Sequence, residues 1–469
     1  MFFLTAAAGL LITASRGQEI LVKPYVQPGD GSILGATDVK VIAWMTDQVS
    51  GEFVVGYDWP GATERISTPQ RTVLCVTPEQ QYFTYAATLT DLPLNGEIRY
   101  RVKLNGRIAR EATFLTRKTP DHPLHFVVVG DIADERPPHR EVAEQMACVR
   151  PEFLVVCGDI VYDRGRLSQY MTNFWPAYCN PSQPDPAVGA PMMQSVPFYA
   201  VLGNHDVELA DLAKIPDAFA AFYFFHPPRN APAGSWTTPI PGAPEQVARF
   251  KAAAGHAGFP HLSLYSFDNG PAHFLVLDSD NYVPVTDPTY RDWIRRDLKG
   301  TKATWKFVLF HHPGFSSNRK HAGDQKMRLL APIFEECAVD AVFAGHVHDY
   351  QRSKPLHFSP NDPAPAKVTG PIRGTFVLDE QFDGVSRTVP NGIVYFITGG
   401  GGGSLYTRMP GDTDALVPDP DTTIPFTAKF VSDRHSFSVI DVDTRQLTVR
   451  QIDIKGEEVD RVTITKPSN

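Results

Sequence analysis

A short apolar run that ends in polar side chains occurs five times in the larger, C-terminal part of the chain. Two examples are residues 153–157, which Gly158-Asp159 follows, and residues 307–310, which His311-His312 follows. Runs of this length, separated by helix-like stretches such as 325–336, predict buried strands of an α/β fold. The carboxyl ends of the strands carry the ligand site in such sheets. The sequence therefore predicts a site that several strand ends build together.

The N-terminal part follows a different pattern. Between residues 19 and 118, short runs of alternating apolar and polar residues are separated by turn clusters, which is typical of an all-β sandwich. An aperiodic stretch rich in polar residues and Pro follows this pattern and predicts a linker near Pro120. We therefore divide the chain into a sandwich domain, 19–118, and an α/β domain, 123–467. Residues 436–442 and 447–453 are predicted as closing antiparallel strands.

The first residues are apolar and end in small side chains before Arg16. This stretch is shorter than the roughly 20 residues that a membrane helix needs, and it fits a signal peptide. We predict a signal peptide over 1–17 and hence a secreted or periplasmic protein, with an N-terminal strand or an anchor as the alternatives. Later stretches are not long and apolar enough to predict an integral membrane segment.

Charge and cysteine content exclude several classes of protein. The chain has 44 Lys and Arg against 52 Asp and Glu, a formal net charge of −8, which argues against binding nucleic acid or acidic membranes by bulk charge. Five Cys without a C-x-x-C pair are too few for a disulfide scaffold, and Cys157 fits a small buried apolar residue. The 15 His remain open to several roles, and the oligomeric state stays undetermined.

The polar residues at the strand ends are types that hard or borderline metal ions accept. Each has another interpretation when taken singly, since Asp caps helices, Asn occupies turns and Tyr is often a half-buried ring. His346 and His348 are more specific, because an i, i+2 pair in extended chain projects both imidazoles to one face. For His312 we favour packing or a hydrogen bond over ligation. The candidates are Asp131, Asp159 with Tyr162, Asn204 with His205, His311 with His312, and His346 with His348.

Taken together, five motifs resemble the five-block pattern of the calcineurin-like metallophosphoesterases, and specifically the purple acid phosphatases. They are Gly130-Asp131-Ile132-Ala133, Gly158-Asp159-Ile160-Val161-Tyr162, Gly203-Asn204-His205-Asp206, Val308-Leu309-Phe310-His311 and Gly345-His346-Val347-His348. Residues 23–27 and 43–46 also resemble the sandwich of the plant-like branch. The resemblance implies a fibronectin type III or immunoglobulin-like domain followed by a four-layer αββα domain. Ala133 departs from the family, which has Gly there; a methyl group is tolerable unless this turn needs a positive φ.

The resemblance also implies a dinuclear metal centre that Asp159 bridges. The first ion would be Fe(III), because a phenolate and two carboxylates suit a hard trivalent ion. The second would be Fe(II), Zn or Mn, which suit a neutral amide and two imidazoles. The implied ligands are Asp131, Asp159, Tyr162 and His348 for the first ion, and Asp159, Asn204, His311 and His346 for the second.

Two further His are implied as catalytic residues. The resemblance gives His205 contact with the substrate and a part in protonating the leaving group, and His321 lies where the family has a second such His. A solvated loop residue is the alternative for His321. Asp206 could orient His205 or lie at a helix N-terminus. The Gly399–Gly403 run lacks the Lys-Ser/Thr of a phosphate-binding P-loop, so we interpret it as a tight backbone crossing near the site.

The resulting hypothesis is an acid phosphatase that hydrolyses small phosphate monoesters, with metal-bound hydroxide as the nucleophile. A phosphodiesterase or nucleotide pyrophosphatase on the same dinuclear site is the nearer alternative. A non-catalytic surface-binding protein is the alternative from another class. The segment 209–260, rich in Pro, Ala and aromatic residues, is predicted to cross the strand ends, either as a substrate wall or as surface decoration.

Overall fold

A computed structural model describes most of the chain. The described residues are 20–47, 51–208, 210–232, 240–254, 262–321, 323–406 and 426–467. The predicted signal peptide, 1–17, lies outside them and stays a prediction. Across the described ranges, none of the helices combines the length and the apolar character that crossing a membrane requires.

Within the described residues, the N-terminal part contains eight strands in two antiparallel sheets, with orders β1-β2-β6-β5 and β4-β3-β7-β8. Alternation places one face of each strand inside: in β7 the side chains of Ile98, Tyr100 and Val102 are buried. Trp44 stacks on Tyr85 between the sheets, with ring centroids 5.2 Å apart. The strands are β1 Ile20–Gln27, β2 Thr37–Thr46, β3 Phe53–Asp58, β4 Arg65–Ser67, β5 Gln70–Thr77, β6 Gln80–Pro93, β7 Glu97–Leu104 and β8 Arg107–Leu115.

The C-terminal part contains fifteen further strands and seven α-helices within the described ranges. The strands are β9 Leu124–Val129, β10 Leu154–Cys157, β11 Phe198–Val201, β12 Tyr265–Asn269, β13 Ala272–Val276, β14 Trp305–Leu309, β15 Ala341–Ala344, β16 Tyr350–Ser353, β17 Leu356–Pro360, β18 Gly374–Leu378, β19 Val394–Thr398, β20 Thr427–Val431, β21 Ser436–Val442, β22 Gln446–Asp453 and β23 Glu458–Thr465. The helices are α1 Pro138–Cys148, α2 Leu167–Gln169, α3 Trp175–Tyr178, α4 Ala221–Phe224, α5 Pro244–Ala254, α6 Pro288–Gly300 and α7 Ala331–Glu336. A π-helical turn, Tyr170–Phe174, joins α2 to α3, and 3₁₀ turns cover Met192–Gln194 and Lys326–Leu330.

Two sheets pack face to face in this part. One has the order β11-β10-β9-β21-β22-β23 and the other β12-β13-β14-β15-β19-β16-β20, while β17 and β18 form a separate pair. Aromatic residues fill the space between the sheets, as where Phe126 meets Phe274 edge-on at 5.3 Å. Helix α1 covers the outer face of the first sheet, and α6 and α7 cover that of the second. The predicted β-sandwich followed by an αββα domain is confirmed, and β21 and β22 pair antiparallel as predicted.

Parallel pairing brings the predicted residues to one edge. Strands β9, β10 and β11 are parallel neighbours in the first sheet, and β13, β14 and β15 are parallel neighbours in the second. Their carboxyl ends therefore meet at one edge of the sandwich, where the connecting loops carry the candidate residues.

The two parts of the chain are in extensive contact. Arg117, just after β8, donates from Nε to Asp38 Oδ1 at 2.8 Å and from Nη1 to the Asp268 carbonyl at 3.2 Å. Within segment 209–260, Phe222 and Phe250 contact each other and belong to a core cluster that also contains Leu74 of β5. The division at 118 and 123 stays a prediction, between the end of β8 and the start of β9.

Candidate metal centre

Four side chains converge at the ends of β9, β10 and β15. The Tyr162 hydroxyl lies 3.0 Å from Asp131 Oδ1, 3.3 Å from Asp159 Oδ2 and 3.0 Å from His348 Nε2. His348 Nε2 in turn lies 3.3 Å from Asp131 Oδ1. We call these four side chains the tyrosine group. It corresponds to the residues predicted for the first metal ion.

A second set converges beside it. His311 Nε2 lies 3.3 Å from Asp159 Oδ1, 3.2 Å from Asn204 Oδ1 and 3.3 Å from His346 Nδ1. We call Asp159, Asn204, His311 and His346 the histidine group. Asp159 belongs to both groups and presents one carboxylate oxygen to each.

The spacing of these atoms fits metal ions. Neighbouring ligands of an octahedral ion with bonds of about 2.1–2.2 Å lie about 3.0 Å apart, close to the distances in both groups. Asp131 and Asp159 are 0% and 1% exposed, and buried carboxylates are stable only when positive charge or hydrogen bonds compensate them. Both the spacing and the charge of the donors therefore fit cations.

The imidazoles also carry the hydrogen bonds that metal-binding His require. His311 Nδ1 faces the Cys157 carbonyl at 2.8 Å, and His348 Nδ1 faces the Ser404 carbonyl at 2.7 Å. A carbonyl only accepts, so these nitrogens hold the proton and Nε2 of each ring is free to bind. His346 is reversed, with Nε2 at 3.2 Å from Asp324 Oδ2 and Nδ1 facing the histidine group.

Electrostatics within the groups favours added positive charge. Burial acts to raise the pKa of Asp159, but the neighbouring His311 holds it below its ordinary value. Burial acts in the opposite direction on His311, and the charge of Asp159 raises the pKa of that imidazole to about 9. Burial, followed by the charges of Asp131 and Asp159, raises the pKa of Tyr162 well above 10. The Tyr162 phenol therefore ionises only when a strong Lewis acid displaces its proton.

His205 lies at the mouth of the tyrosine group. Its ring centroid is 4.6 Å from that of Tyr162, its Nε2 is 3.8 Å from Asp159 Oδ2, and a quarter of its side chain is exposed. Nδ1 lies 2.7 Å from the Asp163 carbonyl and therefore carries a proton. Nε2 is the nitrogen at which His205 can gain or lose a proton.

Asp206 does not take either of the positions expected for it. Its carboxylate contacts the backbone rather than the His205 ring: it accepts from Gly203 N at 2.9 Å and from Ile160 N at 3.2 Å. It is buried in a turn and not at a helix N-terminus, and burial, followed by the Asp159 charge, raises its pKa to about 8. Asp206 thus ties the loop of Asn204 to the loop of Asp159.

His321 comes close to the histidine group. Its ring centroid is 4.1 Å from that of His346, and its Nδ1 lies 2.9 Å from Asp324 Oδ2. Asp324, which contacts both His321 and His346 through one oxygen, is not predicted from the sequence. Tyr406, whose ring stacks on that of His348 with centroids 4.3 Å apart, is not predicted either. The only sequence signal for Asp324 is its i, i+3 spacing from His321, which is common on any polar loop.

Three local details test the reasoning from the motifs. The extended backbone expected for His346 and His348 is wrong, since β15 ends at Ala344 and His346 has a φ of +68°. The two rings still enter adjacent groups that share Asp159. Ala133 has a φ of +27°, so this turn does need a positive φ, and the methyl group of Ala133 is unfavourable there. His312 makes the expected hydrogen bond, with Nδ1 at 3.0 Å from Ser279 Oγ.

The glycine run crosses the site as expected. Gly401 N donates to the Gly130 carbonyl at 3.1 Å, and Gly403 N donates to the Asp131 carbonyl at 2.9 Å. This crossing fixes the loop that carries Asp131.

A polar cavity of about 220 Å³ opens beside the histidine group. Its lining includes Asn204, Glu208, His312, His321, Asp324 and Lys326.

Comparison with known proteins gives a consistent assignment. The profile of the calcineurin-like phosphoesterase family matches residues 124–350. Purple acid phosphatase 18 of Arabidopsis thaliana is 24% identical over 398 residues, covering 82% of this chain and 79% of that relative. The Fe(3+)-Zn(2+) purple acid phosphatase 12 of the same organism is 23% identical over 332 residues, covering 67% of this chain and 62% of that relative.

Solved structures share the fold. The purple acid phosphatase PPD1 from yellow lupin (Lupinus luteus) seeds aligns with a TM-score of 0.63 and 16% identity, covering 94% of this chain and 74% of that chain. PhoD aligns with a TM-score of 0.55 and 13% identity, covering 94% of this chain and 92% of that chain. Residues 124–350 thus belong to the calcineurin-like phosphoesterases, and most of the chain is similar to purple acid phosphatases of plants.

Proposed function

We propose that this chain is an acid phosphatase that hydrolyses phosphate monoesters at two adjacent metal ions. The observation that carries the proposal is the position of Asp159, whose two oxygens lie 3.3 Å from Tyr162 Oη and 3.3 Å from His311 Nε2 respectively. One carboxylate that serves two converging donor sets is the arrangement that a bridged metal pair needs. The relatives named as purple acid phosphatases support the same activity.

The donor types favour different ions in the two groups. The tyrosine group offers two carboxylates and a phenol, which suit Fe(III), and the histidine group offers an amide and two imidazoles, which suit Fe(II), Zn or Mn. A relative named as an Fe(3+)-Zn(2+) enzyme supports this division. Two such ions would supply Lewis acidity toward phosphate and lower the pKa of a bound water.

The chain's own residues would bind and protonate the substrate. His205 keeps Nδ1 on the Asp163 carbonyl, so a proton at Nε2 can pass to the departing alcohol oxygen. Asp324 holds His321 against the histidine group, where a charged imidazole would bind phosphate oxygen. With two metal ions bound, three anionic ligands would leave local positive charge, which would attract phosphate although the whole chain carries a net −8.

Metal analysis coupled to a phosphatase pH profile tests this proposal. We expect two bound metal ions and faster hydrolysis of an aryl monoester than of an aryl diester, with highest activity at acidic to neutral pH. Asn204→Ala and His311→Ala should abolish turnover without unfolding the protein, while His122→Ala, at an exposed His near the linker, should remain active. Full hydrolysis by either site variant, or a preference for the diester, would contradict the proposal.

Export is a separate proposal. It rests on the apolar start of the sequence, which fits a signal peptide over 1–17 and so a secreted or periplasmic enzyme. N-terminal sequencing of the protein from its natural host is expected to begin after this stretch. Detection of Met1 on the mature protein would contradict export by cleavage.

We also propose that the sandwich, 19–118, is similar to fibronectin type III or immunoglobulin domains.

A further inference from the structure

His312 lies next to the histidine group, and the hydrogen bonds of Ser279 determine which of its nitrogens carries the proton. The Ser279 hydroxyl is buried and accepts from His311 N at 3.2 Å and from His312 N at 2.8 Å. A hydroxyl has two lone pairs and one proton, so these bonds leave only the proton to donate. His312 Nδ1, at 3.0 Å from the same oxygen, must therefore accept.

It follows that the proton of the His312 ring is on Nε2. This assignment comes from the hydrogen-bond network and does not depend on the titration of the ring. Among the described residues, His312 Nε2 has no hydrogen-bond partner, and the ring lies beside those of His311 and His346, with centroids 4.9 Å and 4.3 Å away. His312 lines the cavity of about 220 Å³ beside Asn204 and His346. Since Ser279 holds Nδ1, Nε2 is the nitrogen that this ring can offer to a group in the cavity.

The cavity itself has a clear chemical character. Polar and charged side chains make up most of its lining, including Glu208, Asn281, Asp324 and Lys326, and Val368 contributes an apolar contact. Its volume lies below the roughly 300 Å³ at which sites for drug-sized ligands begin. A group that enters it must therefore be small, and it should be polar, because an apolar ring would remove water from these charged side chains without replacing its hydrogen bonds.

We propose that His312 donates a hydrogen bond from Nε2 to the alcohol part of the substrate, and that this cavity selects phosphate monoesters of small, polar alcohols. The inference rests on the proposed phosphatase function, since it assigns the alcohol side of that reaction. His312 is then a substrate-contacting residue for the leaving group, distinct from the two His assigned from the motifs.

Two variants of His312 test the contributions of its two ring nitrogens separately. The amide oxygen of His312→Asn can replace Nδ1 as acceptor from Ser279, but this variant has no donor at the place of Nε2. The amide nitrogen of His312→Gln can replace the Nε2 donor, but this variant loses the bond to Ser279. Metal content and inhibition by inorganic phosphate should stay at the wild-type level in both variants. These two measurements are the control for an indirect effect through His311 and His346, whose ring centroids lie 4.9 Å and 4.3 Å from that of His312.

Steady-state kinetics with glycerol 2-phosphate and phenyl phosphate tests the proposal. We expect His312→Asn to lower kcat/KM about tenfold for the glycerol ester and less than about twofold for the phenyl ester. His312→Gln should keep most of the wild-type preference. Equal losses on both esters in both variants would overturn the proposal, since a purely structural role gives that result.

A measurement on the metal-free protein distinguishes a failure of the proposed role of His312 from a failure of the proposed phosphatase function. Two-bond ¹H–¹⁵N correlation spectra should show His312 with a protonated Nε2 and an unprotonated Nδ1. A proton on Nδ1 would overturn the role of His312 whatever the activity. If the wild-type enzyme with both metals bound hydrolyses no ester, the proposed function itself fails, and this spectrum still decides the tautomer.

Discussion

His273 should make the stability of the fold fall as the pH rises. Its Nδ1 lies 2.8 Å from Asp268 Oδ1 and its Nε2 lies 2.8 Å from Asp297 Oδ2, and the residue is 5% exposed. Burial acts to lower the pKa of His273, but the bonds to the two carboxylates overcome it and raise the pKa to about 9 from 6.5. Because the folded-state pKa is raised, the stabilisation is complete below pH 6.5 and is lost as the pH rises through 9.

The size of the effect follows from this difference. For each pH unit between 6.5 and 9, protonated His273 loses about 1.4 kcal/mol of its contribution to the free energy of unfolding. The total loss over this range is about 3 kcal/mol. The variant His273→Gln cannot hold the proton and leaves Asp268 and Asp297 without a cation. It should be about 3 kcal/mol less stable than the wild type at pH 6, and the gap should nearly close at pH 10.

Urea denaturation followed by tryptophan fluorescence at both pH values measures this gap. Other titrating groups change both proteins alike and cancel in the difference. His122→Gln is the matched control, because that imidazole lies at the surface, where a substitution usually changes stability by less than about 0.5 kcal/mol. A gap for His273→Gln that is the same at pH 6 and pH 10 would refute the reasoning.

Three further predictions concern the site. Tyr162→Phe should abolish the visible tyrosinate-to-Fe(III) absorption band of the metal-loaded protein while the fold is kept; an unchanged spectrum would show that the ferric assignment is wrong. Asp324→Asn should lower activity about 10-fold to 100-fold, because this carboxylate holds His321 and His346, and wild-type kinetics would speak against that role. Ala133→Gly should raise the free energy of unfolding by up to about 1 kcal/mol, since φ is +27° there, and a loss in urea titrations would contradict the argument.

The convergence of the metal candidates could be predicted because parallel strands align their ends. Asp131, Asp159, Asn204, His311 and His346 are far apart in sequence, but each follows a strand whose carboxyl end lies at the same edge. Strand-like apolar runs are visible in the sequence, so the positions just after them are as well. The fold class and the candidate residues thus followed from local patterns, whereas their division between two metal ions came from the resemblance to the family.

The contacts that orient those ligands could not be predicted in the same way. Asp324 and Tyr406 lie on loops without periodicity, and their roles depend on tertiary contacts with His346 and His348. The turn at His346, with its positive φ, breaks the extended geometry that the i, i+2 spacing suggested. A pattern read along the chain fixes which strand a residue follows, but not the direction that its side chain takes after the strand ends.

The glycines at the start of the motifs show why sequence and geometry agree so closely here. A methyl group on Gly203 would lie 2.3 Å from Asp159 Oδ1, and one on Gly345 would lie 2.7 Å from Asp131 Oδ2. Each glycine therefore keeps space open for a carboxylate that another strand end supplies. The residue just before a ligand thus depends on a ligand from a distant part of the chain. The Gly-Asp, Gly-Asn and Gly-His pairs can therefore be recognised in the sequence because the loops pack so closely around the candidate metal positions that a larger residue would not fit before the ligand.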